Sequence, residues 1–149
     1  MRRNPLAHEL SLKDSAERED LTNEYLKTEY RVFKLDTVIR INNSNPIIDN
    51  YLDFINKDSF AFITAWNPQS KPLKLEENTL LNKSLKIDLS EYQILEGEGK
   101  GEDGSWPAEA SYFVPGISKE YAIKLANKYD QKAFVFGERN KPSELIICN

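Results

Sequence analysis

The run Phe60 to Trp66, FAFITAW, constrains the fold of this chain more than any other stretch. Successive side chains of a strand face opposite ways, so Phe60, Phe62, Thr64 and Trp66 share one face and Ala61, Ile63 and Ala65 share the other. Both faces are apolar, and a strand of that kind belongs in the middle of a sheet covered on both sides. The run stops abruptly at Asn67-Pro68-Gln69-Ser70, and Pro72 precedes a helix. A buried strand that ends in a short polar turn delivers polar side chains to one place, a common setting for ligand sites.

A chain of 149 residues is long enough for one domain with a proper core and short for two. Charged residues make up 30% and hydrophobic ones 40%, and with seven Tyr, seven Phe and two Trp the composition is that of a soluble globular protein rather than a disordered one. A formal charge of −4 supplies no field for phosphate polymers, and no basic patch stands out beyond Arg2 and Arg3, which argues against a nucleic-acid partner. The single cysteine, Cys148, can form neither an internal disulfide nor a thiolate metal cage and reads as a small strand residue. No run approaches the roughly 18 apolar residues of a membrane helix, and MRRNPLAHELSLKD lacks the apolar core of a signal peptide. The expectation is a cytoplasmic protein with no membrane partner, no cofactor and no metal.

Residues 1–19 read as a polar arm and residues 20–149 as one domain. Leu21, Tyr25 and Thr28 suggest a helix leading into Tyr30, Val32 and Phe33. Leu35 to Ile41 alternates as a strand does. Asn45 followed by Pro46 predicts a capped helix with Ile48, Tyr51, Leu52 and Ile55 on one face. After Pro72, the spacing of Leu75, Asn78, Asn82, Leu85 and Leu89 marks a helix whose inward stripe contains two asparagines. Tyr92 to Leu95 and Ser111 to Val114 read as a hairpin around an acidic, glycine-rich connection, EGEGKGEDGSW. Ser118 caps a last helix, and Ala133 to Phe136 and Leu145 to Cys148 are closing strands. The order α-β-α-β-α-β-β-α-β-β predicts an α+β domain with a mixed or largely antiparallel sheet.

Three segments carry a family resemblance: Thr64-Ala65-Trp66-Asn67-Pro68-Gln69-Ser70, the Glu77-Asn78 pair with Asn82, and Gly104-Ser105-Trp106-Pro107-Ala108-Glu109-Ala110-Ser111. In this order they resemble the bacterial domain-of-unknown-function family 3293, over about residues 20 to 148. That resemblance implies no particular activity. The chain departs from the family pattern at Lys74, where a capping serine is usual, at Ala110, and at Lys132 within Gln131-Lys132-Ala133.

Thr64, Asn67, Ser70, Asn78, Asn82, Trp106, Glu109 and Ser111 are the residues expected to gather at one site. They offer neutral donors and acceptors, one carboxylate and, with Trp106 or Trp66, a stacking face. Such a set orients a polar small molecule, nucleotide or base-like ring rather than gripping a polyphosphate. Glu109 is the candidate acid or base if its surroundings desolvate it, but no histidine accompanies it, since His8 lies in the arm. EGEGKGEDG has neither the order of a phosphate-binding loop nor the ligand spacing of an EF-hand. The plain structural alternative is that Asn67 and Ser70 organise a turn whose backbone the helix amides satisfy. The alternative function is a non-catalytic module that meets a protein partner through Trp66, Trp106, Pro68 and Pro107.

Overall fold

The computed structural model describes residues 16, 18–102, 104 and 106–148. Of the expected arm only residues 16, 18 and 19 are among them, and these are helical; His8 lies outside. Helix α1 (18–26) is followed by strands β1 (Thr28–Val32) and β2 (Thr37–Ile39), helix α2 (Pro46–Phe54) and strand β3 (Ser59–Ile63). A short 3-10 turn (Pro68–Ser70) then leads to helix α3 (Leu75–Asp88) and strands β4 (Leu95–Gly101) and β5 (Glu109–Pro115). Helix α4 (Lys119–Lys128) and strands β6 (Ala133–Glu138) and β7 (Glu144–Ile147) complete the α+β domain.

Local signals account for the helix starts. The Asn45 side-chain oxygen accepts from the N–H groups of Ile47 and Ile48, both at 3.1 Å, and Pro46 occupies the first turn, where its missing N–H costs nothing. Ser118 caps α4 through the Tyr121 N–H. Lys74 offers α3 no side-chain cap. Instead the Glu77 carboxylate accepts from the Lys74 N–H at 3.3 Å, so one half of a capping box survives the departure at this position.

All seven strands join one sheet in the order β2-β1-β4-β5-β3-β6-β7, and every pair is antiparallel. Strand β3 lies between β5 and β6, as its two apolar faces require. Its Ala61 and Ile63, with Tyr112, Val114, Phe134 and Phe136, form an outer face on which Leu85 and Leu89 at the end of α3 and Ala122, Leu125 and Ala126 of α4 pack. Phe60 and Phe62 point the other way and meet Tyr30, Val32, Ile39, Phe113 and Val135 together with Ile48 and Leu52 of α2. The sheet curls around this second cluster. Its two edges approach each other where Asn42 N–H donates to the Ser143 carbonyl (2.9 Å), Ser143 N–H to that of Asn43 (3.2 Å) and the Ser143 hydroxyl to that of Arg40 (2.8 Å).

Four expectations need correction. The strand expected over Phe60 to Trp66 ends at Ile63, and Thr64 to Trp66 are irregular. The strand expected over Tyr92 to Leu95 begins only at Leu95, and residues 96–101, expected in the glycine-rich connection, continue it as strand β4, whose Glu96, Glu98 and Lys100 face outward while Gly97, Gly99 and Gly101 face inward, opposite Val32, Tyr30 and Thr28 of β1. The first helix ends before Thr28, and residues 28–32 form β1, a strand absent from the expected order; Tyr30 serves the inner face. Leu75, placed on the inward stripe of α3, is 67% exposed at the start of that helix, while Asn78, Asn82, Leu85 and Leu89 are buried.

The inward glycines of β4 answer to close neighbours. A methyl group on Gly97 would lie 2.2 Å from the Arg31 carbonyl oxygen and 3.0 Å from the Phe62 ring, and one on Gly101 would lie 2.9 Å from the Trp106 ring. At Gly99 the nearest atoms, on Tyr30 and Thr28, are 3.7 Å or more away. Gly97→Ala is therefore expected to destabilise the fold by about 1–3 kcal/mol through overpacking. Gly99→Ala is expected to be neutral or to stabilise by up to about 1 kcal/mol, because it restricts the unfolded chain without a clash. Denaturant midpoints measured side by side check both, and equal midpoints for the two variants would contradict this account of β4.

Candidate functional site

The inside of the curled sheet is filled at one end only. Val32, Ile39, Phe60 and Phe113 close on Ile48 and Leu52 of α2. Toward the opposite end the starts of β1, β5 and β6 and the ends of β3 and β4 surround a cavity of about 690 Å³. Tyr25 of α1, Tyr30, Phe62, Trp66 and Trp106 supply its aromatic walls. Glycine on β4 makes the room: a bulky side chain at Gly99 would project into this space.

The polar rim is organised by Asn67, which follows β3 in the left-handed region (φ 47°, ψ 65°), and Gln69 and Ser70 come after it at φ 56° and 59°. Each such residue other than glycine costs about 1–3 kcal/mol unless its surroundings hold it there. Here they do. The Asn78 side chain receives the Asn67 N–H (2.8 Å) and donates to the Asn67 Oδ1 (2.8 Å), which also accepts from the Leu73 N–H (3.0 Å). Gln69 is tied through its N–H and side-chain amide to the Asp130 carbonyl at 2.8 and 2.9 Å.

The remaining donor of Asn67 reaches across the sheet: its Nδ2 donates to Oε1 of Glu109 at 3.1 Å. Glu109 stands at the start of β5 on the inner face, opposite Gly99. Burial raises its carboxyl pKa above the ordinary 4.5, and the Asn67 hydrogen bond opposes that rise. Tyr25 and Tyr30 are held well above the usual tyrosine range, chiefly by burial, with the Glu109 charge contributing to both. The Tyr30 hydroxyl is buried and has no hydrogen-bond partner among the described residues. Its neighbour Thr28 gives its own proton to the Glu24 carbonyl at 2.8 Å. A buried hydroxyl in that state costs about 1–3 kcal/mol.

Of the residues singled out from the sequence, Thr64, Asn67, Ser70, Asn78, Trp106, Glu109 and Ser111 line the cavity, and Asn82 does not. Asn82 joins α3 to the strands: its Oδ1 accepts from the Ala65 N–H (2.9 Å) and its Nδ2 donates to the Ala110 carbonyl (2.9 Å), to which the Thr64 hydroxyl also donates (2.7 Å). Ser111 bonds to the backbone of Glu109 at 3.0 Å. Sequence reasoning missed Tyr25, Thr28, Tyr30, Phe62 and Gln131. Gln131, which donates to the Trp66 and Tyr129 carbonyls at 3.2 Å each, stands in Gln131-Lys132-Ala133, a stretch where the chain departs from the family pattern.

Because Asn78 satisfies the Asn67 backbone from a buried position, Asn78→Ala is expected to cost about 1–3 kcal/mol, whereas Lys83→Ala on the exposed face of α3 should leave the denaturant midpoint nearly unchanged. Glu109 makes a second expectation. Its folded-state pKa is raised, so its contribution to stability is complete below 4.5 and is lost as the pH rises through the raised value. Glu109→Gln keeps an acceptor for Asn67 and cannot ionise. Its melting temperature should match that of the unaltered protein in acid and equal or exceed it near neutrality, with the gap opening as the pH rises; a gap that opens in the reverse direction would mean a stabilising charge.

Among the described residues, no group of three or more His, Cys, Asp or Glu is placed to hold a metal ion, and no helix is long and apolar enough to cross a membrane. No curated protein and no solved structure matches this chain. Residues 63–134, which carry every polar residue singled out above from Thr64 to Ser111, match the model of a family described as "Protein of unknown function (DUF3293)", and over that stretch, narrower than the span expected from the motifs, the chain resembles this family.

Proposed function

We propose that this domain binds a small, flat, polar molecule inside the mouth of its curled sheet. The observation that carries this reading is the meeting of a positioned carboxylate, Glu109, with an unpartnered buried hydroxyl, that of Tyr30, in one aromatic-walled cavity. Cavities of a few hundred cubic ångströms, mostly apolar and carrying a few convergent polar groups, are the usual form of small-molecule sites. The rings of Trp66, Trp106, Tyr30 and Phe62 offer faces for a heterocycle such as a nucleobase. Asn67, fixed by Asn78 and Leu73, holds the Glu109 carboxylate in place for a donor on that ring. Glu109 is also the group to test for proton transfer, since burial raises its pKa above the ordinary carboxylate value. The two tryptophans line the cavity instead of forming a projecting patch, which favours a small ligand over a protein partner at this place.

A thermal-shift screen of heterocycles and other small metabolites tests the proposal. A ligand present at about a hundred times its Kd adds about 2.7 kcal/mol to the folded state. Hits should raise the melting temperature of the unaltered protein, lose that effect in Gly99→Leu, which fills the cavity, and weaken in Glu109→Gln. Hits that stabilise Gly99→Leu equally well would place binding elsewhere and overturn the proposal.

A further inference from the structure

The charge of the cavity narrows what it can take. Among the described residues its lining contains two carboxylates, Glu109 inside and Glu24 at the rim, and no Lys, Arg or His. The basic residues adjacent in sequence to the lining, Lys27, Arg31, Lys71, Lys74, Lys100 and Lys132, stand outside it, all exposed except the half-buried Lys132. Among the described residues Asn67 alone donates to the Glu109 carboxylate, and it does so to one oxygen. The neutral amide leaves the negative charge in a partly buried, aromatic-walled place where no cation among the described residues compensates it. An anionic ligand would meet repulsion strengthened by the low local dielectric.

The same walls suit the opposite charge. The faces of aromatic rings carry partial negative charge and attract ammonium groups, most strongly where water is excluded. Tyr25, Tyr30, Phe62, Trp66 and Trp106 supply five rings around one carboxylate. The Tyr30 oxygen, which makes no hydrogen bond among the described residues, adds an acceptor. Resting on the small-molecule reading above, we infer that the natural ligand is an organic cation: an amine or ammonium group on a flat apolar body, with the charge toward Glu109 and the Tyr30 hydroxyl and the body among the rings.

Matched probes separate this inference from the reading it rests on. Phenethylamine, phenethyl alcohol and phenylacetate share a shape and differ in charge, as do tryptamine, tryptophol and indole-3-acetate. Both tryptophans of the chain line the cavity, so tryptophan fluorescence reports its occupancy for the phenyl series, and calorimetry serves for both. Each amine is expected to bind about tenfold or more tightly than its alcohol, with the carboxylate weakest. Glu109→Gln should bring amine affinity down to that of the alcohol and leave the alcohol unchanged. Tyr30→Phe should weaken the amine by about threefold or more while leaving the unliganded protein as stable as before or more so, which a merely structural hydroxyl would not do. Alcohols or carboxylates binding as well as the amines, with loss in Gly99→Leu, would overturn the cationic class and leave the small-molecule cavity standing. Absence of binding by all six probes at millimolar concentration, or binding that Gly99→Leu retains, would overturn the inference and the cavity reading together.

Discussion

The absence of side chains at alternate positions of β4 decides the shape of this domain. Gly97, Gly99 and Gly101 all face the inside of the sheet, and the rings of Phe62, Tyr30 and Trp106 occupy or border the space above them. Strand interiors normally avoid glycine, which contributes no packing and loses the most backbone entropy on ordering. Here the missing side chains let β1 approach closely at Gly97 and leave open volume at Gly99. The glycines belong to the inner face alone: on the outer face of β4 stand Glu96, Glu98 and Lys100, so one strand meets a cavity on one side and solvent on the other.

At the cavity mouth a second constraint operates. The turn after β3 holds three non-glycine residues in the left-handed region, and Asn78 of α3 together with the Asp130 carbonyl holds the turn. The turn and the carboxylate are therefore one unit. Asn67 uses its backbone N–H and side-chain oxygen to fix its own conformation, and its side-chain N–H to orient Glu109. The plain structural reading of these amides and the ligand reading are thus compatible: hydrogen bonds that satisfy the turn also place the one acidic group of β5 that faces inward.

The parts of the fold visible in the sequence are those set by local chemistry. The Asn45-Pro46 and Ser118 helix starts, the two apolar faces of β3 and the buried amides at positions 78 and 82 follow from side-chain periodicity and capping. Strand β4 was not legible because its glycine and acidic residues favour loops, and only pairing with β1 and β5 gives them a ladder. Tyr30 was hidden for a related reason. Its strand directly follows a helix, and a hydroxyl left unpartnered is a property of the packed molecule that no spacing reveals. Asn82 carried the same sequence signal as Asn78 yet turns to the strand backbone, because one helical turn separates the rim of the cavity from the layer beneath it.

The contacts around Ser143 bear on how this domain behaves in a crowded solution. Open sheets expose unpaired N–H and C=O groups along their outer strands, and such edges recruit strands from other molecules. In this sheet the outer strands are short, three residues in β2 and four in β7, and the chain beyond one bonds to the chain before the other. Little template remains for a foreign strand. A protein that keeps a cavity open on one face of its sheet thus has its edges guarded by the same curvature, and resistance to edge-to-edge aggregation comes with the shape that makes the cavity.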